Sequence, residues 1–151
     1  LAGAGWALAA FGRALARQCR EPRCRAELCR AAERSHAVST QLSLLARVAA
    51  VTAAAEPLVS NARNLLRAAL HVLEAAEAAC VTGLQQPPPG SEDAEVAAFC
   101  MQWRRKLLWH RAMESLNSDR DELGLRKTRA RAEPTLTAMV QEQCPHIRNV
   151  P

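Results

Sequence analysis

The chain has few aromatic side chains and carries no catalytic motif. Its 151 residues include no Tyr, and the aromatic residues are only Trp6, Phe11, Phe99, Trp103 and Trp109. There is no GxGxxG, P-loop, GxSxG or HExxH sequence, which argues against dinucleotide, phosphate-loop, hydrolase and zinc-protease chemistry. An enzyme of this size usually has a wider variety of side chains. We therefore expect a protein without enzymatic activity and without a cofactor.

The histidines and cysteines form no pattern typical of a metal site. Cys19, Cys24 and Cys29 are spaced five apart, which is neither a CxxC nor a zinc-finger spacing. A zinc site that used Cys144 and His146 would need distant partners. We expect no metal ion and reduced thiols, as in a cytosolic protein. A secreted bundle held by disulfides is the alternative interpretation.

Long uninterrupted apolar runs are also missing. No segment reaches the roughly 20 apolar residues that cross a bilayer, so we expect no transmembrane segment and a cytoplasmic location. The apolar start LAGAGWALAAFG continues as GRALARQC with helical spacing and has no preceding basic segment, which indicates a bundle helix rather than a signal peptide. Because the sequence starts at Leu1 rather than Met, we expect a fragment or an excised domain.

The formal charge of +5 comes mostly from arginine. The densest basic cluster, a candidate contact for an acidic partner, consists of Arg126, Lys127, Arg129 and Arg131. The simpler interpretation of this cluster is a solvated helix or tail. No aromatic residue is interleaved with it, and we expect no nucleic-acid binding.

What the sequence does contain is a series of amphipathic segments. Apolar residues at helical spacing predict helices at about residues 4–20, 23–55, 57–83 and 91–118. We predict an all-α fold in which residues 1–118 form an antiparallel, up-and-down four-helix bundle with long helices. Residues 119–151 are predicted to be a tail, partly helical or disordered, with a short helix that Pro134 could start.

The second and third predicted helices are apolar along one side. In the second helix the apolar stripe consists of Leu28, Ala31, Ser35, Val38, Leu42, Leu45, Ala49 and Thr52, with a conceivable break near His36. In the third helix it consists of Val59, Ala62, Leu66, Ala69, Leu73, Ala76 and Cys80, and Leu65, Leu70 and Val72 widen it into a broad apolar face. Pro57 suits a first helical turn and Gly83 a helix end. We take Leu66 and Leu73 as core candidates.

The fourth predicted helix starts at Ser91, a good N-cap followed by carboxylates in the first turn. Its apolar stripe supplies three further core candidates, Phe99, Trp103 and Leu107. The connecting sequence QQPPPG cannot be crossed by a helix. Because this loop is short, we expect the third and fourth helices to be antiparallel.

Two segments of the chain resemble the vinculin/α-catenin superfamily. AEVAAFCMQWRRKLLWHRAMESLN is similar to the family helix in which a tryptophan follows a phenylalanine by four residues, here Phe99 and Trp103. EPLVSNARNLLRAALHVLEAA is similar to the helix before it, and the resemblance covers about residues 38–117. It implies a non-enzymatic adaptor of cell junctions, linked to actin or Rho signalling. The chain is richer in Arg and Ala than the family, and the sequence after Asn117 does not resemble the family's actin-binding tail. No family binding residue is therefore carried over.

Two functions are consistent with these patterns. The first is a scaffold that binds other proteins, cytoskeletal or junctional ones by the resemblance, through its helix faces. The second is a secreted or lipid-surface-binding bundle of the apolipoprotein or cytokine type. Assembly of several copies of the chain through the same faces stays open.

Overall fold

The computed structural model describes residues 1–52, 55–115, 123 and 133–143. Every regular element in this part of the chain is a helix, so the predicted all-α class is confirmed. The helices are α1 (Ala2–Gln18), α2 (Pro22–Thr52), α3 (Glu56–Thr82), α4 (Glu92–Ser115) and α5 (Leu136–Gln143). Helix α2 runs without interruption past Ser35, where a break was conceivable.

The helix ends lie where the local sequence predicts them. Pro57 occupies the first turn of α3, and Gly83 ends that helix with a φ of 113°, a conformation that other residues rarely adopt. The Ser91 Oγ accepts a hydrogen bond of 3.2 Å from the Ala94 amide and so caps α4. A short last helix follows Pro134, as the sequence suggested. Residues 116–122 lie outside the described part, so the predicted domain boundary after residue 118 stays a prediction.

The chain divides into two compact units, residues 1–97 and residues 98–151. In the first unit, α1 packs against α2 and both pack against α3. Gly5 lies beside Ser39 and Gly12 beside Ala32, so α1 and α2 are antiparallel. The Asn61 amide donates to the Val38 carbonyl at 3.1 Å, and His71 Nε2 lies 3.1 Å from Glu27 Oε1, so α2 and α3 are antiparallel too.

Small side chains dominate the interior of this unit. The buried apolar residues of α1 to α3 include Ala9, Leu15, Ala16, Leu28, Ala31, Ala32, Val72, Ala76, Ala79 and Cys80. Alanine adds little bulk between helix backbones, so the helices can approach closely. The many alanines of the sequence therefore allow the three helices to pack closely.

Helices α1 and α2 approach each other closely at Gly5. A Cβ added there would lie 2.0 Å from the Ser39 Oγ and 2.8 Å from the Leu65 Cδ1. Ser39 has little freedom to move away, because its hydroxyl donates a hydrogen bond of 2.7 Å to the Ser35 carbonyl. Ser35 in turn donates to the Gly5 carbonyl at 3.1 Å. The contact thus requires a residue without a side chain at position 5.

We expect Gly5→Ala to lower the free energy of unfolding by about 1–3 kcal/mol, the usual cost of overpacking. Gly3→Ala is the matched control, because a Cβ at Gly3 meets nothing within 4 Å. Alanine favours helix over glycine, so the control should raise the free energy of unfolding by about 0.5 kcal/mol. Urea denaturation followed by circular dichroism measures both, and an equal effect of the two variants would contradict the close contact.

Hydrogen bonds connect the end of α1 with the first turn of α4 within the same unit. Arg17 Nη2 and Nε lie 2.6 and 3.1 Å from the two carboxylate oxygens of Asp93, and the Gln18 side-chain amide donates to the Asp93 carbonyl at 2.7 Å. Hydrogen bonding from Arg17 lowers the pKa of Asp93. A lowered carboxyl pKa means that this contact stabilises the fold above the usual Asp pKa and is lost as the pH falls.

The second unit contains most of α4 together with α5. Trp103 Nε1 donates a hydrogen bond of 2.9 Å to the Pro134 carbonyl, and Arg111 forms an ion pair of 3.0 Å with Glu133. The buried apolar residues of this unit include Cys100, Trp103, Leu107, Leu136 and Met139. Trp103 thereby joins α4 to the segment that leads into α5.

Candidate functional site

The second half of α2 forms one wall of a surface region. Ser35, Ser39 and Leu42 are buried, and Leu45 and Ala49, the next members of the predicted stripe, are partly buried. Ala46 and Ala50, which adjoin them, are exposed. Helix α1 packs over α2 with Gly5 against Ser39, and Ala2 lies at the edge of this region.

Helix α3 supplies the other wall of the same region. Its buried stripe includes Asn61 and Leu65, and the side chains before and beside it, Leu58, Val59 and Ala62, are only partly buried or exposed. Between the two helices is a groove, hereafter the α2–α3 groove, with a volume of about 800 Å³. It is lined by Leu1, Ala2, Leu42, Ser43, Ala46, Arg47, Ala50, Leu58, Val59 and Ala62.

The lining of the α2–α3 groove is apolar with one charge. Among the described residues that line the groove, Arg47 has the only charged side chain and none is acidic. Most of the other lining side chains are small or aliphatic and offer no proton donor, acceptor or nucleophile for catalysis. The arrangement can bury an apolar surface and neutralise one carboxylate, which is the chemistry of a docking site.

Of the five core candidates, two are buried, two are partly buried and one is exposed. Trp103 and Leu107 are buried, with exposed fractions of 2% and 3%, while Phe99 and Leu73 are partly buried. The prediction that Leu66 belongs to the core is wrong, because 61% of its surface is exposed. The buried stripe of α3 passes through Leu65 instead. Because consecutive residues of a helix are about 100° apart around its axis, Leu66 faces a different side from Leu65. Arg126, Lys127, Arg129 and Arg131 lie outside the described residues.

The groove was not found from the sequence. Periodicity predicts which side of α2 is apolar, and Leu42 belongs to the predicted stripe, but periodicity does not show where a covering helix ends.

Side chains that could support chemistry are dispersed. Among the described residues, no three His, Cys, Asp or Glu side chains lie close enough together to hold a metal ion. His71 contacts Glu27 at 3.1 Å, which joins α2 to α3 on a partly exposed surface. Cys19, Cys80 and Cys100 are buried, Cys24 is partly buried and Cys29 is exposed. Cys144 and His146 lie outside the described residues.

Within the described residues, no helix combines the length and the apolar character needed to cross a bilayer. The chain matches no protein-family model, no curated protein and no solved structure.

Proposed function

We propose that this chain is a non-enzymatic helical scaffold that binds an amphipathic helix of a partner protein in the α2–α3 groove. The observation that carries the proposal is the α2–α3 groove itself, whose described lining is mostly small and aliphatic, with one cationic side chain, Arg47. Apolar surface of this kind is stabilised by burial, at about 25 cal/mol per Å². A partner that covers it therefore gains binding free energy without any rearrangement of the three helices.

A helix is the occupant that fits the groove best. Helix α1 occupies the equivalent position one or two turns away and contacts α2 and α3 through small residues, Gly5 and Gly12. The groove itself exposes small residues, Ala46, Ala50 and Ala62, which allow a second backbone to approach as closely. The α2 residues that line the groove run from Leu42 to Ala50, which corresponds to roughly 12 Å of helix, or about two turns.

The charge of the groove defines the partner further. Arg47 lies in the lining with no acidic neighbour there. A guanidinium at the edge of an apolar groove favours a partner helix that places a carboxylate opposite it. The partner is thus a helix with small and aliphatic residues on one side and an acidic residue beside them.

The vinculin/α-catenin resemblance places this binding activity in a cellular setting. As part of the proposal, the partners are cytoskeletal or junctional proteins, the location is the cytoplasm near cell junctions, and the full architecture is an up-and-down four-helix bundle. The resemblance of Phe99 and Trp103 to the family's aromatic pair supports this setting. The alternating directions of α1, α2 and α3 support the bundle topology.

A synthetic peptide tests the groove directly. The probe is a labelled helix of about 18 residues, long enough to be partly helical alone, with Ala and Leu on one side and one Glu beside them. We expect Ala46→Glu to weaken its binding at least tenfold in fluorescence anisotropy, because the new carboxylate lies in the apolar groove and faces the peptide. Such a loss corresponds to about 1.4 kcal/mol.

Ala37→Glu is the matched control, since Ala37 is also an exposed alanine of α2 but lies on the opposite side of the helix. Both variants should unfold within about 0.5 kcal/mol of the parent protein. Equal binding by the two variants, or binding that requires a second copy of the chain in sedimentation velocity, would contradict the proposal. The Arg47→Glu variant should bind the probe that carries Glu more weakly. It should bind well a probe in which Lys replaces that Glu.

The cellular part of the proposal has its own test. Proximity labelling is carried out with the parent chain and with Ala46→Glu in adherent cells. We expect cytoskeletal or junctional proteins to be labelled by the parent chain and to lose labelling in the variant. If the intact parent chain labels no such protein, the junctional assignment is wrong even where the peptide binds.

A further inference from the structure

Helix α4 carries a second apolar surface that the groove does not involve. One side of the helix is buried through Cys100, Trp103 and Leu107. The other side exposes four large apolar side chains, Met101, Leu108, Trp109 and Met113, with exposed fractions between 41% and 59%. Because surface helices usually direct polar residues outward, this outward face of α4 is unusual.

The outward face of α4 is also basic. Arg105 follows Met101 by four residues and precedes Trp109 by four, so it lies on the same side of the helix and between them. Arg104 and Lys106 adjoin it, and Glu114 is the only acidic residue between positions 98 and 115. Arg111 is already paired with Glu133, whereas Arg105 has no ion-pair partner among the described residues.

We infer that the outward face of α4 docks an acidic amphipathic helix of a partner protein. Tryptophan, methionine and arginine are the residue types that concentrate at the centres of protein interfaces. The partner would cover Leu108 and Trp109 with apolar residues and place a carboxylate against Arg105. A paired guanidinium at the centre of an apolar contact contributes register and specificity as well as affinity.

Two other occupants fit the outward face of α4 less well. A lipid surface requires the apolar side of a helix to enter the acyl region with its charges at the flanks, but Arg105 is in the middle of the apolar side. A second copy of this chain would have to present a complementary acidic site. The α2–α3 groove presents Arg47 instead, so the two surfaces have the same sign of charge.

The experiment uses the full chain with Ala46→Glu, so that the groove is blocked, and a labelled designed helix with Leu on one side and Glu on both flanks. We expect this probe to bind, and Leu108→Ser and Arg105→Glu each to weaken binding at least tenfold. The matched controls are Leu44→Ser, because Leu44 and Leu108 are both 56% exposed, and Arg34→Glu, an exposed arginine of α2. Neither control should change the affinity more than twofold.

Three outcomes would overturn the inference. The first is that the Glu-flanked probe does not bind. The second is that Leu44→Ser weakens binding as much as Leu108→Ser does. The third is that the protein floats with vesicles of phosphatidylserine and phosphatidylcholine and that Leu108→Ser abolishes this flotation. A probe in which Lys replaces every Glu should not bind, and its binding would remove the role of Arg105. Because the groove is blocked throughout, these outcomes are separate from failure of the groove proposal.

Discussion

Trp103→Ala is expected to lower the free energy of unfolding by about 3–5 kcal/mol, the usual cost of removing a large buried aromatic side chain. The indole is 2% exposed and donates a hydrogen bond to the Pro134 carbonyl at 2.9 Å. The variant loses the buried apolar area, leaves a cavity and removes the partner of a carbonyl. Urea denaturation followed by circular dichroism gives the change in free energy.

Two further variants separate the contributions. Trp103→Phe keeps much of the apolar volume but removes the hydrogen bond, so we expect a smaller loss, about 1–3 kcal/mol. Trp109→Ala is the matched control in the same helix, because Trp109 is 59% exposed, and it should change the free energy of unfolding by less than about 0.5 kcal/mol. Similar effects of Trp103→Ala and Trp109→Ala would mean that the buried side of α4 has been assigned wrongly.

Leu65→Ala is expected to lower the free energy of unfolding by about 2–5 kcal/mol, and Leu66→Ala by less than about 0.5 kcal/mol. The two leucines are neighbours in α3, but Leu65 is 5% exposed and packs close to Gly5, whereas Leu66 faces solvent. The pair is well matched, because residue type, helix and position are the same to within one residue. Chemical denaturation of the two variants in one buffer measures the difference.

The opposite order of the two leucine variants would contradict the packing of the first unit. It would mean that the stripe predicted from periodicity, through Leu66 and Leu73, faces the core after all. Equal and small effects would mean that α3 packs loosely on both sides. Either result would also remove the geometric basis of the α2–α3 groove, since α3 forms one of its walls.

The helix ends could be predicted because their causes are local. Pro57 suits the first turn of α3 since that position needs no amide hydrogen, and Gly83 ends the helix since its φ is positive. Ser91 caps α4 with its own side chain. None of these features depends on what the helix packs against, so the sequence alone was sufficient.

The buried side of α3 could not be predicted because the helix has two apolar stripes. One passes through Leu66 and Leu73 and the other through Leu65 and Val72, and alanines fill most positions between them. Apolar periodicity does not distinguish the two. The choice is made by tertiary packing, in which Leu65 and Val72 lie against Gly5 and Gly12 of α1. In α2 the polar residues leave only one stripe, and Leu28, Ala31, Ser35 and Leu42 are buried as predicted.

The two candidate docking surfaces could not be predicted from the sequence for a related reason. Ala46 and Ala50 adjoin a stripe whose earlier members are buried, and the residue type alone does not show that these two alanines are exposed. Leu108 and Trp109 similarly look like core residues of a helix that is apolar on several sides. Exposure of an apolar residue depends on what packs against it, and only the folded chain shows this.

Binding of a helix in the α2–α3 groove can be measured residue by residue with nuclear magnetic resonance. Isotope-labelled protein is titrated with the Ala- and Leu-rich peptide that carries one Glu, and the amide chemical shifts are followed. We expect the largest shifts at Ala46, Ala50 and Ala62, and we expect Ala46→Glu to remove them while Ala37→Glu does not. Absence of shifts at saturating peptide, or shifts concentrated away from these three alanines, would contradict helix binding in the groove.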